Sequence, residues 1–531
     1  MRAADAIAQR LYAAGCRFAF GMPGGEVLTI LDALEAVGIR FVLCKHENAA
    51  GFMAEGAWHR TGAPGVLVGT VGPGILNAVN TIANAQQDRV PLIVLAGCVD
   101  AAEAQSYTHQ VLDQCAVLAP VTKATFTLEP DAAHLIADKA VAIATQGQPG
   151  PVFIDVPVGV ADAPVPDTVP TRRADAVPVV PAPDALGQAA SWLSEARRPV
   201  MIAGVDALND SADVAGFAEA FGIPVITSYK AKGMLEESHA LALGGAGLSP
   251  LADRTLVPFV QGADLILCVG YDPIEMRPGW RDVWDAGQVR VIDISAAPNT
   301  HYMHQGSMNI VGSVRETLEA LRSAATPGAD WGDAVADAKA ALAAAFPEDD
   351  DWGPAAVIAE ARAAFPNGTL ATADSGAHRI LLSQMWRCNE PRGMMQSSAL
   401  CTMGCAVPLA MGAKLASPDR PVVSFSGDAG MLMVAGELST AAELGIAPVF
   451  IVFVDASLAL IELKQRQRQM ANTGVDFGAH DFAALGRAMG GRGADVRSRA
   501  ELRAAIQEAL AADSFTLIAA HIDRGAYDGR I

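Results

Sequence analysis

The residues best suited to chemistry in this chain are two acids that close two consecutive apolar runs. VVSFS at 422–426 ends in Gly427 and Asp428, and PVFIVFV at 448–454 ends in Asp455, with Ser457 just behind. Both runs read as parallel strands, and the stretch between them, MLMVAGELSTAAELG at 431–445, has the spacing of a helix. A right-handed βαβ unit brings the carboxyl ends of its strands to one edge, so both acids can converge on one cation. Carboxylates and backbone oxygens are the hard ligands Mg²⁺ prefers, and Mg²⁺ usually brings a phosphate with it. An acid after a strand also caps helices, and spacing alone leaves the two roles open.

Three further turns have the same strand-to-helix setting. KHENAAGFMAEG at 45–56 puts Glu47 after one strand and at the head of a helix, where an acid can act chemically or simply meet the helix dipole. TVGPG at 70–74 joins a strand to a helix beginning near Ile75; its Gly72 and Pro73 allow close backbone approach at an anion-favouring helix N-terminus. PGG at 23–25, with Gly24 and Gly25, is a similar turn. Gly69, Gly72 and Gly74 have GxxGxG rather than GxGxxG spacing, which is weak support for a dinucleotide.

The elements that must position these residues form three α/β blocks. In the first, FAFG (18–21), FVLCK (41–45), GVLVGT (65–70), PLIVLAG (91–97) and VFIDVP (152–157) alternate with helical stretches, the pattern of a doubly wound parallel sheet. The second has PVMIAG (199–204), PVITS (224–228), LILCVG (265–270) and VRVIDIS (289–295), and an alanine-rich helix near 333–345 leads out of it. The third holds the acid pair and ends with FTLIAAHID (515–523). The expected division is therefore 1–162, a proline-rich extended linker at 163–187, 188–340 and 353–531, three doubly wound α/β domains.

Composition narrows the function classes. Hydrophobic residues make up 51% and charged ones 18% of 531, which predicts large cores rather than disorder. The net charge of −20, with no basic stripe to offset it, opposes nucleic-acid backbones and anionic lipid. Apolar runs stop short of a membrane span, and MRAADAIAQRLYAAG reads as an amphipathic helix rather than a signal peptide, so a cytoplasmic protein is expected. The eight cysteines lack paired CxxC spacing, which argues against a disulfide framework or a zinc site.

Taken together, the segments resemble the thiamine diphosphate enzymes and, within them, the FAD-independent acetolactate synthases. The segments that carry the resemblance are FGMPGGEVLTILDAL (20–34), HENAAGFMAEG (46–56), GPG (72–74), THQVLDQ (108–114), GYDPIE (270–275), SGDAG (426–430), VDASLALIELKQ (454–465) and VDFG (475–478). They run in order through all three blocks. The resemblance implies a first domain that binds the aminopyrimidine, a third that binds diphosphate and Mg²⁺, and a middle domain without FAD.

It also implies roles for single residues. Glu47 would hydrogen-bond the pyrimidine N1′ and favour the imino tautomer that removes the C2 proton. Met403 would prop the folded cofactor, and the Cys401 backbone carbonyl would accept from the 4′-amino group. Asp428, Asp455 and the Ser457 carbonyl would hold Mg²⁺, flanked by Gly427, Ala429 and Gly430, while Gly376, Ala377 and His378 match the phosphate-binding turn. His109 and Gln110 match the segment that reaches the reacting carbon. Thr70 stands where some decarboxylases of the superfamily carry a histidine, which favours carboligation: one pyruvate loses CO₂ and its two-carbon fragment joins a second oxo acid, giving 2-acetolactate. A 2-oxo acid decarboxylase or C–C lyase is the alternative, and a catalytically silent cofactor-binding subunit a third, which the intact Glu47 opposes.

The chain departs from the pattern in places. Ala429 replaces a glycine, Val454 an asparagine, and Lys464 a glutamine of the substrate pocket, so Lys464 either meets a second carboxylate of the substrate or reaches to solvent. The resemblance further implies a homo-oligomer, a dimer at minimum and commonly a tetramer, with the active site between chains and small 2-oxo acids as substrates.

Overall fold

The structure, a computed structural model, describes residues 1–166, 177–274 and 276–531. It contains three six-stranded sheets, and every pairing between named strands is parallel. The first comprises β1 (Phe18–Met22), β2 (Arg40–Leu43), β3 (Gly65–Gly69), β4 (Leu92–Cys98), β5 (Ala124–Thr127) and β6 (Pro151–Pro157), in the order β2-β1-β3-β4-β6-β5. The second comprises β7 (Pro199–Ala203), β8 (Val225–Ser228), β9 (Ala242–Ala246), β10 (Leu265–Val269), β11 (Arg290–Ser295) and β12 (Met308–Val311), ordered β12-β11-β10-β7-β8-β9. The third comprises β13 (Leu370–Ala373), β14 (Met394–Gln396), β15 (Val422–Gly427), β16 (Val449–Val454), β17 (Arg492–Val496) and β18 (Thr516–His521), ordered β14-β13-β15-β16-β18-β17. The outer two sheets thus repeat one strand order, and the middle one has another.

Central strands such as β3, β4, β10 and β16 are buried along their whole length, which is why they read as continuous apolar runs rather than alternating ones. The strands that the sequence pattern passed over are β5, β9, β12, β13, β14 and β17. They are short; ALGGA, LATA, MMQ and RGADV carry little β-branched signal of their own, while ATFT and MNIV are four-residue strands at sheet edges, and all are recruited by their neighbours.

Two expectations need correction. The helix read at 431–445 is two helices, Asp428–Met433 and Glu437–Leu444, broken around Gly436, and Asp428 is the first residue of its helix rather than one lying before it. The proline-rich segment is not all extended: Pro183 opens the helix Pro183–Glu195 from its first position, where its missing N–H costs nothing. Its start is tied back to the N-terminus, with Ala3 N donating to the Ala163 carbonyl at 2.9 Å. Residues 167–176 of that segment, and Glu275 of GYDPIE, lie outside the described residues.

The first and third blocks are pressed together. The helices Glu47–Thr61 and Ala406–Ala416 pack at backbone distance, because a Cβ on Gly56 would stand 2.2 Å from the Leu409 carbonyl oxygen and one on Gly412 2.0 Å from that of Met53. Buried Glu437 accepts from the backbone N–H groups of Lys45 and His46, both at 2.9 Å. Among the described residues no helix is long and apolar enough to cross a membrane.

Candidate functional site

A cavity of about 500 Å³ opens at the carboxyl ends of β13, β15 and β16. The turn after β13 brings Gly376, Ala377 and His378, the turn after β15 brings Gly427, Asp428, Ala429 and Gly430, and that after β16 brings Asp455 and Ser457. This is the crevice where open parallel sheets hold ligands. Cys401, Met403 and Lys464 line it too, with Arg277 and Leu248 from the middle block.

Asp428 is held rigidly. Its Oδ2 accepts from the Asp455 and Ala456 amides at 3.1 and 2.7 Å, and its Oδ1 from the Ala429 amide at 2.9 Å. Burial raises its carboxyl above the usual range against the pull of those amides. Burial, followed by the neighbouring Asp428 charge, pushes Asp455 up to about 7. A buried Asp428 and a half-buried Asp455 side by side call for a cation. Among the described residues no cluster of three or more His, Cys, Asp or Glu side chains exists. The Ser457 carbonyl accepts no hydrogen bond among the described residues and stands ready for that use.

Around the acids, several buried polar atoms have no partner among the described residues. His378 Nε2, Ser375 Oγ and Ser457 Oγ are all unsatisfied and all belong to cavity-lining residues. Such atoms are costly to bury alone, and they fit an oxygen-rich ligand such as a diphosphate. Burial, then the neighbouring Arg379, depresses the His378 imidazole to about 3, so it is neutral and offers one N–H and one lone pair. Gly430 leaves no room for a side chain, since a Cβ would fall 1.9 Å from Asp374 Oδ2.

The residues expected to act on the pyrimidine and the substrate are elsewhere. Glu47 is the first residue of its helix, 4% exposed, and its Oε2 accepts from Asn77 Nδ2 at 3.0 Å. Its Oε1 would lie 3.2 Å from a Cβ on Gly74, so glycine keeps that carboxylate approachable. Gly72, at φ +68°, donates its N–H to Gln114 Oε1 at 2.8 Å and precedes Pro73, which opens a short helix. Gln110, itself at φ +56°, packs against Gly72, and His109 is exposed beside Tyr107. Gly24 faces the Thr70 hydroxyl, which donates to Glu26 Oε2 at 2.6 Å, and Gly25 is open. None of Gly24, Gly25, Glu47, Gly72, Pro73, His109 and Gln110 lines the cavity that holds Asp428 and Asp455. Within one chain the expected site residues therefore fall into two groups. Met403 also borders a second cleft with Lys45, His46 and Asn48, so it stands between the acid cavity and the head of the Glu47 helix.

Sequence reasoning passed over several participants. Arg379 is 3% exposed and donates to Cys401 Sγ at 2.9 Å and Gln396 Oε1 at 2.8 Å. Asn77, Glu26 and Gln114 each bond a residue that had been singled out. Their adjacency to the glycine turns was the available signal; Tyr527, which lines the cavity from the chain's far end, offered none.

Family models and relatives match the chain in all three blocks. The model for the thiamine pyrophosphate enzyme N-terminal TPP binding domain matches residues 1–117, that for the central domain 186–321, and that for the C-terminal TPP binding domain 374–520. The chain is 30% identical to the acetolactate synthase isozyme 1 large subunit of Escherichia coli, covering 98% of this chain and 94% of that one. It is also 30% identical to the catabolic acetolactate synthase of Raoultella terrigena, covering 98% and 95%. A probable 2-ketoarginine decarboxylase of Pseudomonas aeruginosa is 31% identical over 92% and 88%. Matched along nearly its whole length, the chain belongs to the thiamine diphosphate-dependent enzymes, of the acetolactate synthase type.

Proposed function

We propose that the protein decarboxylates pyruvate and joins the resulting two-carbon fragment to a second 2-oxo acid, most simply another pyruvate, giving 2-acetolactate and CO₂. The observation that carries this reading is the pairing of an acid cavity lined with unsatisfied polar atoms and a separate, buried Glu47 beside Gly74. Bound thiamine diphosphate supplies an acidic C2 position and an electron sink for the decarboxylation.

The chain's own residues do the rest. Asp428, Asp455 and the Ser457 carbonyl would hold Mg²⁺ against the diphosphate, with Gly376, Ala377 and His378 on its phosphates. Once a cation sits there, Asp455 gives up the proton that burial otherwise favours. Glu47 would hydrogen-bond the pyrimidine N1′ and hold a proton there, so that the 4′-nitrogen can act as base. Met403 and the Cys401 carbonyl would fix the angle between the two rings, while Gln110, with His109 and Lys464, would meet the substrate. Thr70 supports carboligation over simple decarboxylation: its hydroxyl is already committed to Glu26, and no imidazole stands at that turn to protonate the two-carbon fragment.

The two groups of site residues lie on different blocks of one chain, and a homodimer that pairs the first block of one chain with the third of its partner would complete each site. The first domain would then serve the aminopyrimidine, the third the diphosphate, and the middle domain would work without FAD, in a cytoplasmic enzyme. Full-length protein supplied with Mg²⁺, thiamine diphosphate and pyruvate should form acetolactate without added flavin; acetaldehyde as the sole product would overturn the carboligase reading and favour the decarboxylase one, for which the 2-ketoarginine decarboxylase relative is the precedent.

A further inference from the structure

Behind the loop that carries Cys401 and Met403 lies a buried polar cluster assembled from all three blocks. Lys230, from the turn after β8, is 4% exposed, and its Nζ lies 3.0 Å from Glu55 Oε1 and 2.8 Å from Asp88 Oδ2. Both acids come from the first block and are equally hidden. Burial by itself would lower the Lys230 ammonium, but Asp88 and Glu55 outweigh it and hold the group charged. Asp88 in turn grips the third block: its Oδ2 and Oδ1 accept from the backbone N–H groups of Ser398 and Ala399, each at 2.9 Å. Next to them, Ser397 Oγ donates to Asn84 Oδ1 at 2.7 Å and accepts from the Thr402 amide at 2.9 Å.

The loop that begins here is unusual in its backbone. Cys401 sits at φ +52°, a left-handed conformation that a non-glycine residue keeps only where its surroundings over-determine it. The far end is fixed as well, because buried Asp374 accepts from the Gly404 and Cys405 amides at 3.0 and 3.1 Å. A buried ion pair adds little stability over a well-packed apolar replacement, so its contribution is better sought in geometry. Without the lysine, Asp88 and Glu55 would be two uncompensated buried charges, and Asp88 would take up a proton or turn away from the amides it holds.

We propose that Lys230 is a positioning residue for the cofactor: through Asp88 it fixes the Ser397–Met403 loop and, with it, the Cys401 carbonyl and Met403 side chain that meet thiamine diphosphate. This rests on the roles assigned to Cys401 and Met403 above. Lys230 itself does not line the cavity and acts only through the loop.

The test is titration of the full-length chain with thiamine diphosphate and Mg²⁺, followed by tryptophan fluorescence, alongside thermal unfolding. Lys230→Met and Asp88→Asn should each weaken cofactor binding by about tenfold or more, the scale expected when the support of a binding group is removed, and Lys230→Arg should restore most of it. Glu360→Gln, which breaks the ion pair between buried Glu360 and exposed Arg503 outside this cluster, should lower the melting temperature without changing cofactor affinity. If Lys230→Met does not fold, Asp88→Asn decides the matter, since it keeps the size of the side chain while weakening its hold on both Lys230 and the Ser398 and Ala399 amides. Folded variants that melt lower but bind cofactor as tightly as wild type would overturn the proposal. Wild-type protein that binds thiamine diphosphate yet makes no acetolactate would sink the functional reading and leave this one standing.

Discussion

The first and third sheets are the same construction used for different chemistry. Both run in the order second, first, third, fourth, sixth, fifth strand, so both open a crevice between the turns after their first and third strands. In the first block those turns carry PGG and TVGPG, and in the third DSGAH and GDAG. The first crevice is filled by its own hydrogen bonds, Thr70 to Glu26 and Gly72 to Gln114. The third leaves His378 Nε2 and Ser375 Oγ without partners beside two acids. Topology therefore supplies the crevice, and the residues in its turns decide whether a polar ligand is needed to complete it.

The comparison can be broken most forcefully at its two acids. Glu47→Gln should lower kcat on the order of a thousandfold while cofactor stays bound, as expected when a proton-transfer partner is lost; near-normal turnover would remove Glu47 from the chemistry. Asp428→Asn should act on the other side of the comparison, weakening Mg²⁺-dependent binding of thiamine diphosphate by roughly a hundredfold, measured by fluorescence titration. If it changed turnover and left affinity alone, the two crevices would not divide the work as argued.

Mixing these two variants, at a cofactor concentration that loads wild type but not Asp428→Asn, sharpens the point. In a dimer that pairs the first block of one chain with the third of the other, a hybrid has one doubly altered site and one intact site. Randomly reassorted chains should then recover about a quarter of wild-type activity. Hybrids that form by mass spectrometry but stay inactive would place both crevices of one site in a single chain.

A smaller effect comes from pH. Asp155, on β6 beneath the first crevice, donates nothing and accepts from Gln114 Nε2 at 2.7 Å, and burial raises its carboxyl to about 6 from an ordinary 3.8. A raised folded-state value means the charged form penalises the fold above pH 6, and that penalty disappears as pH falls through 6 towards 4. Relative to Asp155→Asn, wild type should therefore gain about 2 kcal/mol between pH 7 and 4.5 in urea unfolding. An unchanged difference would show that Asp155 is not buried in the way its surroundings suggest.

Much of the site was legible before any coordinates. Apolar runs closed by Asp428, Asp455 and Glu47 point to strand ends, and buried parallel strands announce themselves because both faces are covered. What stayed hidden were the edge strands β5, β9, β12, β14 and β17, the short inner strand β13 and the break in the helix after Asp428, because these depend on neighbours rather than on local pattern.

The sequence by itself determined the three α/β blocks, the two acids, the glycine turns and the kinship with thiamine diphosphate enzymes, since each rests on residue type at short range. Only the tertiary structure decided that the expected site residues separate into two groups within one chain, that His378 and Ser375 are left unsatisfied, and that Lys230 reaches Asp88 behind the Cys401 loop. Those facts depend on how residues far apart in the chain are brought together, such as Lys230 and Asp88, and no local pattern encodes them.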